Sequence, residues 1–244
     1  MSGKVLLING SFRKKNTYNI LVQIEQILKN QNIESEILNL FEYDIKHCIG
    51  DDESCIKKGV CSQKNDDMEK IRQKIMESDG IVLSTPVYLG GATSKFKSFA
   101  DRTNGWFHMP ETAGKPALLV VTTAMTGIKE TSLFLDQLIT GWGCRKGGVI
   151  VRTAKNFNAA AGEKELSKFL SLIKKDKKYY RPSMNEIVIF EVQKVLAMKS
   201  SGADKKFWEE KDWNKKCYYY DCKMNPAKKV FSKMMFKILS GAIK

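Results

Sequence analysis

The first 155 residues alternate short runs of aliphatic or β-branched residues with longer amphipathic stretches. This alternation predicts parallel strands joined by crossover helices. The apolar runs predict five strands, over residues 4–9, 34–40, 80–85, 116–123 and 148–152. Apolar residues at helical spacing predict four crossover helices, over residues 17–30, 66–78, 94–103 and 129–140. The pattern therefore predicts an α/β domain built on a parallel sheet.

After residue 152 the strand pattern stops and helical spacing continues to the end of the chain. Four more helices are predicted, over residues 163–174, 185–200, 203–215 and 227–242. The first of these closes the sheet domain, which gives a domain over residues 1–175 and a helical C-terminal extension over 176–244. We expect the extension to pack on the sheet domain or on a neighbouring subunit.

The turn after the first strand carries side chains suited to an anion. Gly10 is followed by Ser11, Arg13, Asn16 and Thr17, and a helix begins there. Helix N-termini present unpaired N–H groups and the positive end of the dipole, so these side chains can together surround a phosphate. The alternative is an ordinary capped helix, with Asn16 or Thr17 as its N-cap.

Two further loops follow the third and fourth predicted strands. Residues 84–94 contain Tyr88 and the paired glycines Gly90 and Gly91, which allow close approach to a flat ring, although a plain tight turn is the alternative. Residues 122–127 supply small and hydroxyl-bearing side chains. Because the carboxyl ends of parallel strands share one edge of a sheet, all three loops are expected to form one ligand site.

With these motifs the chain resembles the NADPH-dependent FMN reductase and iron-sulfur flavoprotein branch of the flavodoxin-like superfamily, over residues 1 to about 155. The resemblance implies a flavodoxin-like three-layer sandwich with strand order 2-1-3-4-5, followed by the C-terminal helical extension. It implies FMN as cofactor and NAD(P)H as cosubstrate. The cofactor contacts that it implies are Ser11, Arg13, Asn16, Thr17, Tyr18, Pro86, Val87, Tyr88, Leu89, Gly90, Thr123, Ala124 and Gly127.

The resemblance implies an NAD(P)H oxidoreductase with a quinone, nitroaromatic, flavin or protein acceptor, and a homodimer or homotetramer. Because the cofactor carries the redox chemistry, no catalytic side chain is assigned. The alternative is an electron carrier that serves a ferredoxin-like partner. With two histidines in the chain, neither a Ser-His-Asp triad nor a zinc deaminase site is expected.

Three of the six cysteines, Cys48, Cys55 and Cys61, fall in one short segment before Asp66. In the resembling iron-sulfur flavoproteins this segment carries four cysteines, and here Asp51 stands where one of them is expected. A 4Fe-4S cluster normally takes four thiolates, so we expect the segment to be the remnant of a cluster loop without metal. Three thiolates with Asp51 or His47 as a fourth ligand to iron or zinc remain the alternative.

The formal net charge is +14, and the segment 175–244 holds 17 basic and 8 acidic residues. A solvated lysine-rich surface explains this excess more simply than a nucleic-acid partner, which we do not expect. No apolar run is long enough to span a membrane, and the first strand begins almost at the N-terminus, so we expect a cytoplasmic protein. Residues 227–242 also fit a membrane-surface helix, although a docked terminal helix shows the same pattern.

Overall fold

The computed structural model describes residues 3–243 and contains one parallel sheet. Its strand order is β2-β1-β3-β4-β5, as the resemblance implied. The strands are β1 (Lys4–Asn9), β2 (Glu34–Asn39), β3 (Gly80–Pro86), β4 (Pro116–Thr123) and β5 (Arg145–Thr153). All four neighbouring pairs are parallel, so the carboxyl ends of the strands lie at one edge.

Helices cover both faces of this sheet and continue into the C-terminal extension. The helices are α1 (Asn16–Asn30), α2 (Met68–Glu77), α3 (Ser94–Asp101), α4 (Gly105–His108), α5 (Ile128–Gly141), α6 (Glu163–Lys174), α7 (Met184–Lys199), α8 (Ala203–Glu210) and α9 (Pro226–Ala242). A single turn of π-helix lies at Glu53–Lys57. The flavodoxin-like fold predicted from the sequence is thereby confirmed.

Side chains of β1 show why both faces of the sheet are covered. Leu6 and Ile8 belong to a core cluster shared with α2, α3 and α5, whereas Val5 and Leu7 belong to a second cluster shared with α1 and α6. Successive side chains of a strand point to opposite faces, so a strand buried on both sides is apolar throughout. This explains the continuous apolar run at the start of the sequence.

Two of the predicted elements, β5 and α8, have a boundary that differs from the prediction by more than two residues. β5 begins at Arg145 rather than at residue 148. Ala117 of β4 pairs with Lys146 and the next residue, Leu118, pairs with Gly148, so Gly147 between them is unpaired, as in a β-bulge. The predicted helix 203–215 breaks after α8, because Asp212 has a φ of +52° and a 3₁₀ turn follows. Neither feature changes the hydrophobic periodicity enough to be seen from the sequence.

The C-terminal extension packs on the sheet domain around a third core cluster, which is rich in aromatic side chains and includes Phe190, Trp208 and Trp213. The Trp208 indole donates a hydrogen bond to the carbonyl oxygen of His108 (2.8 Å), and the Gln193 amide donates to that of Gly141 (2.7 Å).

Within residues 3–243, none of the helices has the length and apolar character that a membrane crossing requires.

Helix α9 packs on α7 and leaves an apolar ridge in solvent. Val230, Met234 and Ile238 are between half and two-thirds exposed, while Ser232 on the other side is buried. The helix is therefore a docked terminal helix, and its ridge is the part that a membrane surface or another protein would have to contact.

Candidate functional site

The first loop is held close to the end of β3 by Gly10. An added Cβ at Gly10 would lie 2.7 Å from the carbonyl oxygen of Ser84 and 2.8 Å from the Phe96 ring, so no other residue fits without a shift. The backbone N–H of Gly10 donates to Ser84 (2.8 Å), and the Thr93 hydroxyl donates to the carbonyl oxygen of Gly10 (2.7 Å). These contacts fix where the chain leaves the sheet.

Asn9, the last residue of β1, shapes the same loop from inside. Its fully buried amide donates to the carbonyl oxygen of Ser11 (3.0 Å) and to the side chain of Asn39 (2.8 Å), and its Oδ1 accepts from the Ser11 N–H (3.1 Å). The sequence did not single out Asn9, because a polar residue at a strand end has no distinctive pattern. The sequence feature that could have identified Asn9 is its position directly before Gly10.

The N-terminus of α1 has no side-chain cap. Lys15 is the N-cap residue and makes no capping hydrogen bond with its side chain, so the alternative of a helix capped by Asn16 or Thr17 is wrong. Asn16 is the first helical residue and is exposed, as is Arg13, whereas Thr17 is buried. Uncapped N–H groups and the positive end of the helix dipole favour an anion at this point.

Hydrogen bonds connect the first loop to the other two. A guanidinium nitrogen of Arg13 donates to the Tyr88 hydroxyl (3.3 Å). The hydroxyls of Thr17 and Thr122 are 2.7 Å apart in a buried hydrogen bond. The Ser11 hydroxyl donates to the carbonyl oxygen of Arg13 (3.0 Å). Ser11 and Thr17 therefore order the loop, and Arg13 and Asn16 are among the side chains that it exposes to solvent.

The second loop is a tight turn that displays its central residues. The N–H groups of Tyr88 and Gly91 each donate to the other's carbonyl oxygen (2.8 and 3.0 Å). Leu89 and Gly90 between them have φ angles of +50° and +80°, as a type I′ turn requires. A leucine in this left-handed region is unusual, and such strain concentrates at ligand sites. The Leu89 side chain is fully exposed.

The third loop packs tightly against the second through Gly127. Gly127 has a φ of +84°, and an added Cβ would lie 2.6 Å from Val87 Cγ1 and 2.9 Å from Gly90 Cα. The Thr123 hydroxyl donates to the carbonyl oxygen of Thr126 (2.8 Å), which closes the loop on itself. Ala124 between them is exposed. Close packing at Gly127 makes the second and third loops one surface.

Large apolar side chains are exposed on all three loops. Phe12 is 74% exposed and Met125 is 83% exposed, in addition to Leu89 and the half-exposed Tyr88. Exposed apolar side chains that lie together on a protein surface usually mark a binding site, and the carboxyl edge of a parallel sheet is where ligands bind in such folds. Next to an uncapped helix N-terminus with an exposed arginine, they fit a ligand that has a flat apolar ring and a phosphate.

The three cysteines of the segment before Asp66 line a common void. Cys48, Cys55 and Cys61 surround it together with Asp51, and its volume is about 20 Å³. Burial raises the pKa of the Cys55 thiol, and the neighbouring Cys61 and Cys48 add to this effect. The fold therefore brings together the three thiols that the sequence grouped.

This donor set does not fit a four-iron cluster as it stands. It offers three thiols instead of four, and the void has room for about one water molecule. Among residues 3–243, no group of three or more histidine, cysteine or acidic side chains has the geometry to hold a metal ion. The expectation of a remnant loop stays a prediction, and no chemistry is assigned to a cluster here.

A buried ion pair anchors the cysteine segment to the sheet domain. The side chains of Arg102 and Asp66 are 1% and 2% exposed and are hydrogen-bonded to each other. Arg102 also donates to the carbonyl oxygens of Lys46 (3.1 Å) and Gln63 (2.8 Å). Burial alone would raise the pKa of Asp66, but the hydrogen bonds from Arg102 and from the Lys46 and Met68 N–H groups lower it overall. Arg102 therefore has a structural role beside Cys61.

Comparisons with known proteins place these features in a family. Residues 3–155 match the model of the NADPH-dependent FMN reductases. An iron-sulfur flavoprotein of Archaeoglobus fulgidus is 30% identical over 222 residues, which cover 85% of this chain and 98% of that protein. A second iron-sulfur flavoprotein of the same organism is 45% identical over 100 residues, which are 41% of this chain and about half (48%) of that protein.

The fold also matches a solved structure over most of its length. The crystal structure of RosB with a bound intermediate, 8-demethyl-8-formylriboflavin-5′-phosphate, has a TM-score of 0.56 to this chain and covers 92% of both chains. The sequence identity is 14%, so this likeness concerns the fold alone. It extends beyond the sheet domain, because 92% of the chain includes much of the C-terminal extension.

Proposed function

We propose that this chain, which belongs to the NADPH-dependent FMN reductase family, is an oxidoreductase that binds FMN at the carboxyl edge of its sheet and takes electrons from a reduced nicotinamide. The electrons then pass to a quinone, a nitroaromatic, a free flavin or a protein acceptor. The observation that carries the proposal is the joining of three loops into one surface, by the Arg13–Tyr88 and Thr17–Thr122 contacts and by the packing at Gly127.

In this proposal the first loop binds the phosphate of FMN. The uncapped N–H groups at the start of α1 would donate to phosphate oxygens, and the Asn16 amide is exposed beside them. Arg13 would supply a charge-assisted hydrogen bond, which is about twice as strong as a neutral one. Ser11 and Thr17 would position these donors from below, since their hydroxyls bond to the protein. Tyr18 lies in the first turn of α1.

The second and third loops would hold the flavin ring. Backbone groups of Leu89 and Gly90 and of the segment from Thr123 to Gly127 would be hydrogen-bonding partners for its polar edge, whereas the N–H groups of Val87 and Tyr88 already donate within the protein. Tyr88, tethered to Arg13 by its hydroxyl, would form one wall of the ring site. Leu89 and Met125 would shield the ring from water. Exclusion of water is the main way in which such a site prevents unwanted reactions.

Bound FMN would supply the redox chemistry, by accepting a hydride from NAD(P)H and releasing the electrons to the acceptor. No side chain of the three loops has to act as an acid or a base for this. The protein would hold the ring, leave one face open to the nicotinamide and set the polarity around it.

Anaerobic mixing of the FMN-loaded protein with NADPH or NADH tests the proposal. Bleaching of the oxidised flavin absorbance within the turnover time, with either nicotinamide, is the expected result. An electron carrier would instead stay oxidised until a reduced protein partner is added, and that result would favour the alternative function. A protein that never binds FMN would contradict both.

Replacement of Arg13 by alanine makes the assignment of the phosphate loop specific. Loss of one charged hydrogen bond is worth roughly 1.5–3 kcal/mol, so we expect FMN affinity to fall at least about tenfold. Lys29→Ala is the matched control, because Lys29 is an exposed cation at the other end of the same helix. If both variants weaken FMN equally, the effect is one of net charge and not of the loop.

A further inference from the structure

A hollow of about 480 Å³ lies at the opposite edge of the sheet from the three loops. It is lined by the start of β5, by α6 and by the segment that leads from α6 into α7. Its volume falls in the range of small-molecule sites. Five cationic side chains line it: Arg145, Lys146, Lys168, Lys175 and Arg181.

Arg145 is buried at this hollow, and no carboxylate among residues 3–243 forms an ion pair with it. The residue is 6% exposed, and its hydrogen bonds run from Nε to the carbonyl oxygen of Gly114 (2.6 Å) and from Nη1 to that of Lys175 (3.3 Å). Within the described part of the chain, buried Arg102 and Arg152 each have a carboxylate within 4 Å, whereas Arg145 has none. Its Nη2 has no protein acceptor there, and an arginine does not lose its charge in a protein.

The acidic groups that face the hollow are engaged elsewhere. The carboxylate of Glu186 accepts hydrogen bonds from Tyr180 (2.6 Å) and from the Ser183 N–H (2.8 Å) and hydroxyl (2.7 Å). Asp176 accepts from the N–H of Lys178 (2.9 Å). Neither carboxylate lies within 4 Å of the Arg145 guanidinium, but both keep their negative charge and reduce the positive charge of the hollow. Burial lowers the pKa of Arg145, and Asp176 raises it through space.

The remaining cations reinforce Arg145. Lys146 is paired with Asp136 (2.7 Å), but Lys168, Lys175 and Arg181 take part in none of the ion pairs found among residues 3–243. All three are exposed at the rim. A concave surface lined by charges of one sign concentrates its field and attracts ions of the opposite sign.

We propose that this hollow is an anion site that binds a diphosphate group. Buried guanidinium groups match phosphate oxygens in two-point hydrogen bonds, which is the recognition that Arg145 offers through its free donors. The hollow is larger than a single phosphate needs, and the exposed ring of Tyr179 at its rim offers a stacking surface. Inorganic diphosphate and the diphosphate of a nucleotide share this chemistry. The site is separate from the three loops and does not depend on the proposed FMN function.

Isothermal titration of FMN-loaded, dialysed protein with pyrophosphate, ADP and adenosine tests this proposal. We expect one site per chain for pyrophosphate and for ADP, and no binding of adenosine. Tighter binding of ADP than of pyrophosphate would identify a nucleotide site, and equal binding would identify the diphosphate alone. Absence of binding by both anions at millimolar concentration, or binding of adenosine as tight as that of ADP, would overturn the proposal.

Charge variants locate the site without disturbing the fold. The double variant Lys168→Gln and Arg181→Gln removes two exposed rim cations, and we expect the dissociation constant to rise at least tenfold. The control double variant Lys164→Gln and Lys206→Gln changes the net charge equally at exposed positions outside the hollow, and we expect less than a twofold change. Equal weakening in both double variants would mean non-specific attraction and would refute the site. Arg145→Gln, if it folds, should abolish binding.

Discussion

The close packing of the second and third loops can be tested by comparing alanine at two glycines. Gly127 and Gly90 have nearly the same φ angle, +84° and +80°. A left-handed conformation costs a residue with a Cβ about 1–2 kcal/mol, so this part of the effect should be equal in Gly127→Ala and Gly90→Ala. The two positions differ in the space around the added methyl group.

At Gly127 the new Cβ would lie 2.6 Å from Val87 Cγ1 and 2.9 Å from the Gly90 backbone, whereas at Gly90 it would have no atom within 4 Å among residues 3–243, apart from its own chain neighbours. Overpacking of this kind costs about 1–3 kcal/mol more. We therefore expect Gly90→Ala to lower the free energy of unfolding by about 1–2 kcal/mol and Gly127→Ala by about 2–5 kcal/mol. Urea denaturation of the FMN-free protein measures both, with no contribution from the cofactor. Equal losses in the two variants would refute the packing of the two loops.

Four further predictions concern other parts of the chain. Arg102→Met leaves the Asp66 carboxylate buried without its partner and should lower the free energy of unfolding, measured in urea, by about 3–5 kcal/mol. The control Lys97→Met breaks an exposed pair with Asp101 and should lower it by less than about 1 kcal/mol. Similar losses in the two variants would contradict the structural role of Arg102. Burial raises the pKa of Glu191 against the opposing effects of Ser232 and Lys194, so the folded state keeps this proton to a higher pH than the unfolded chain. That contribution to stability is present below the unfolded pKa of about 4.5 and is lost as the pH rises through the folded value, and Glu191→Gln should flatten this part of the pH–stability curve. Iron and acid-labile sulfide assays on anaerobically purified protein should find no cluster, and four irons per chain would contradict the remnant-loop prediction. Sedimentation should show the homodimer or homotetramer that the family resemblance implies, and a monomer at all concentrations would exclude it.

The fold could be predicted from the sequence because the three inner strands of the sheet, β1, β3 and β4, are buried on both faces. Such strands are continuous apolar runs, and β4, from Pro116 to Thr123, was predicted with both of its ends correct. β5 was predicted three residues short at its start, since Arg145 and Lys146 pair with β4 in spite of their polar side chains. Local backbone features such as the left-handed Asp212 leave no trace in hydrophobic periodicity.

The grouping of the three loops at one edge could be predicted from the sequence, but the contacts that join them could not. Topology alone puts the carboxyl ends of β1, β3 and β4 side by side, which is why the loops were grouped correctly. The contacts that join them depend on tertiary packing between distant parts of the chain; Thr17 and Thr122, for example, are 105 residues apart in the sequence. For the same reason the position of Arg145 could not be recognised from the sequence, because only the structure shows that no carboxylate of residues 3–243 lies within 4 Å of it.

Titration of the FMN-free protein with FMN and with riboflavin, followed by flavin fluorescence, tests most directly whether the first loop holds a phosphate. Riboflavin lacks the phosphate and keeps the ring. Loss of two or more charge-assisted hydrogen bonds, each worth about 1.5–3 kcal/mol, should make riboflavin bind at least about a hundredfold more weakly than FMN. Equal affinity for the two flavins, or no binding of FMN, would contradict the account.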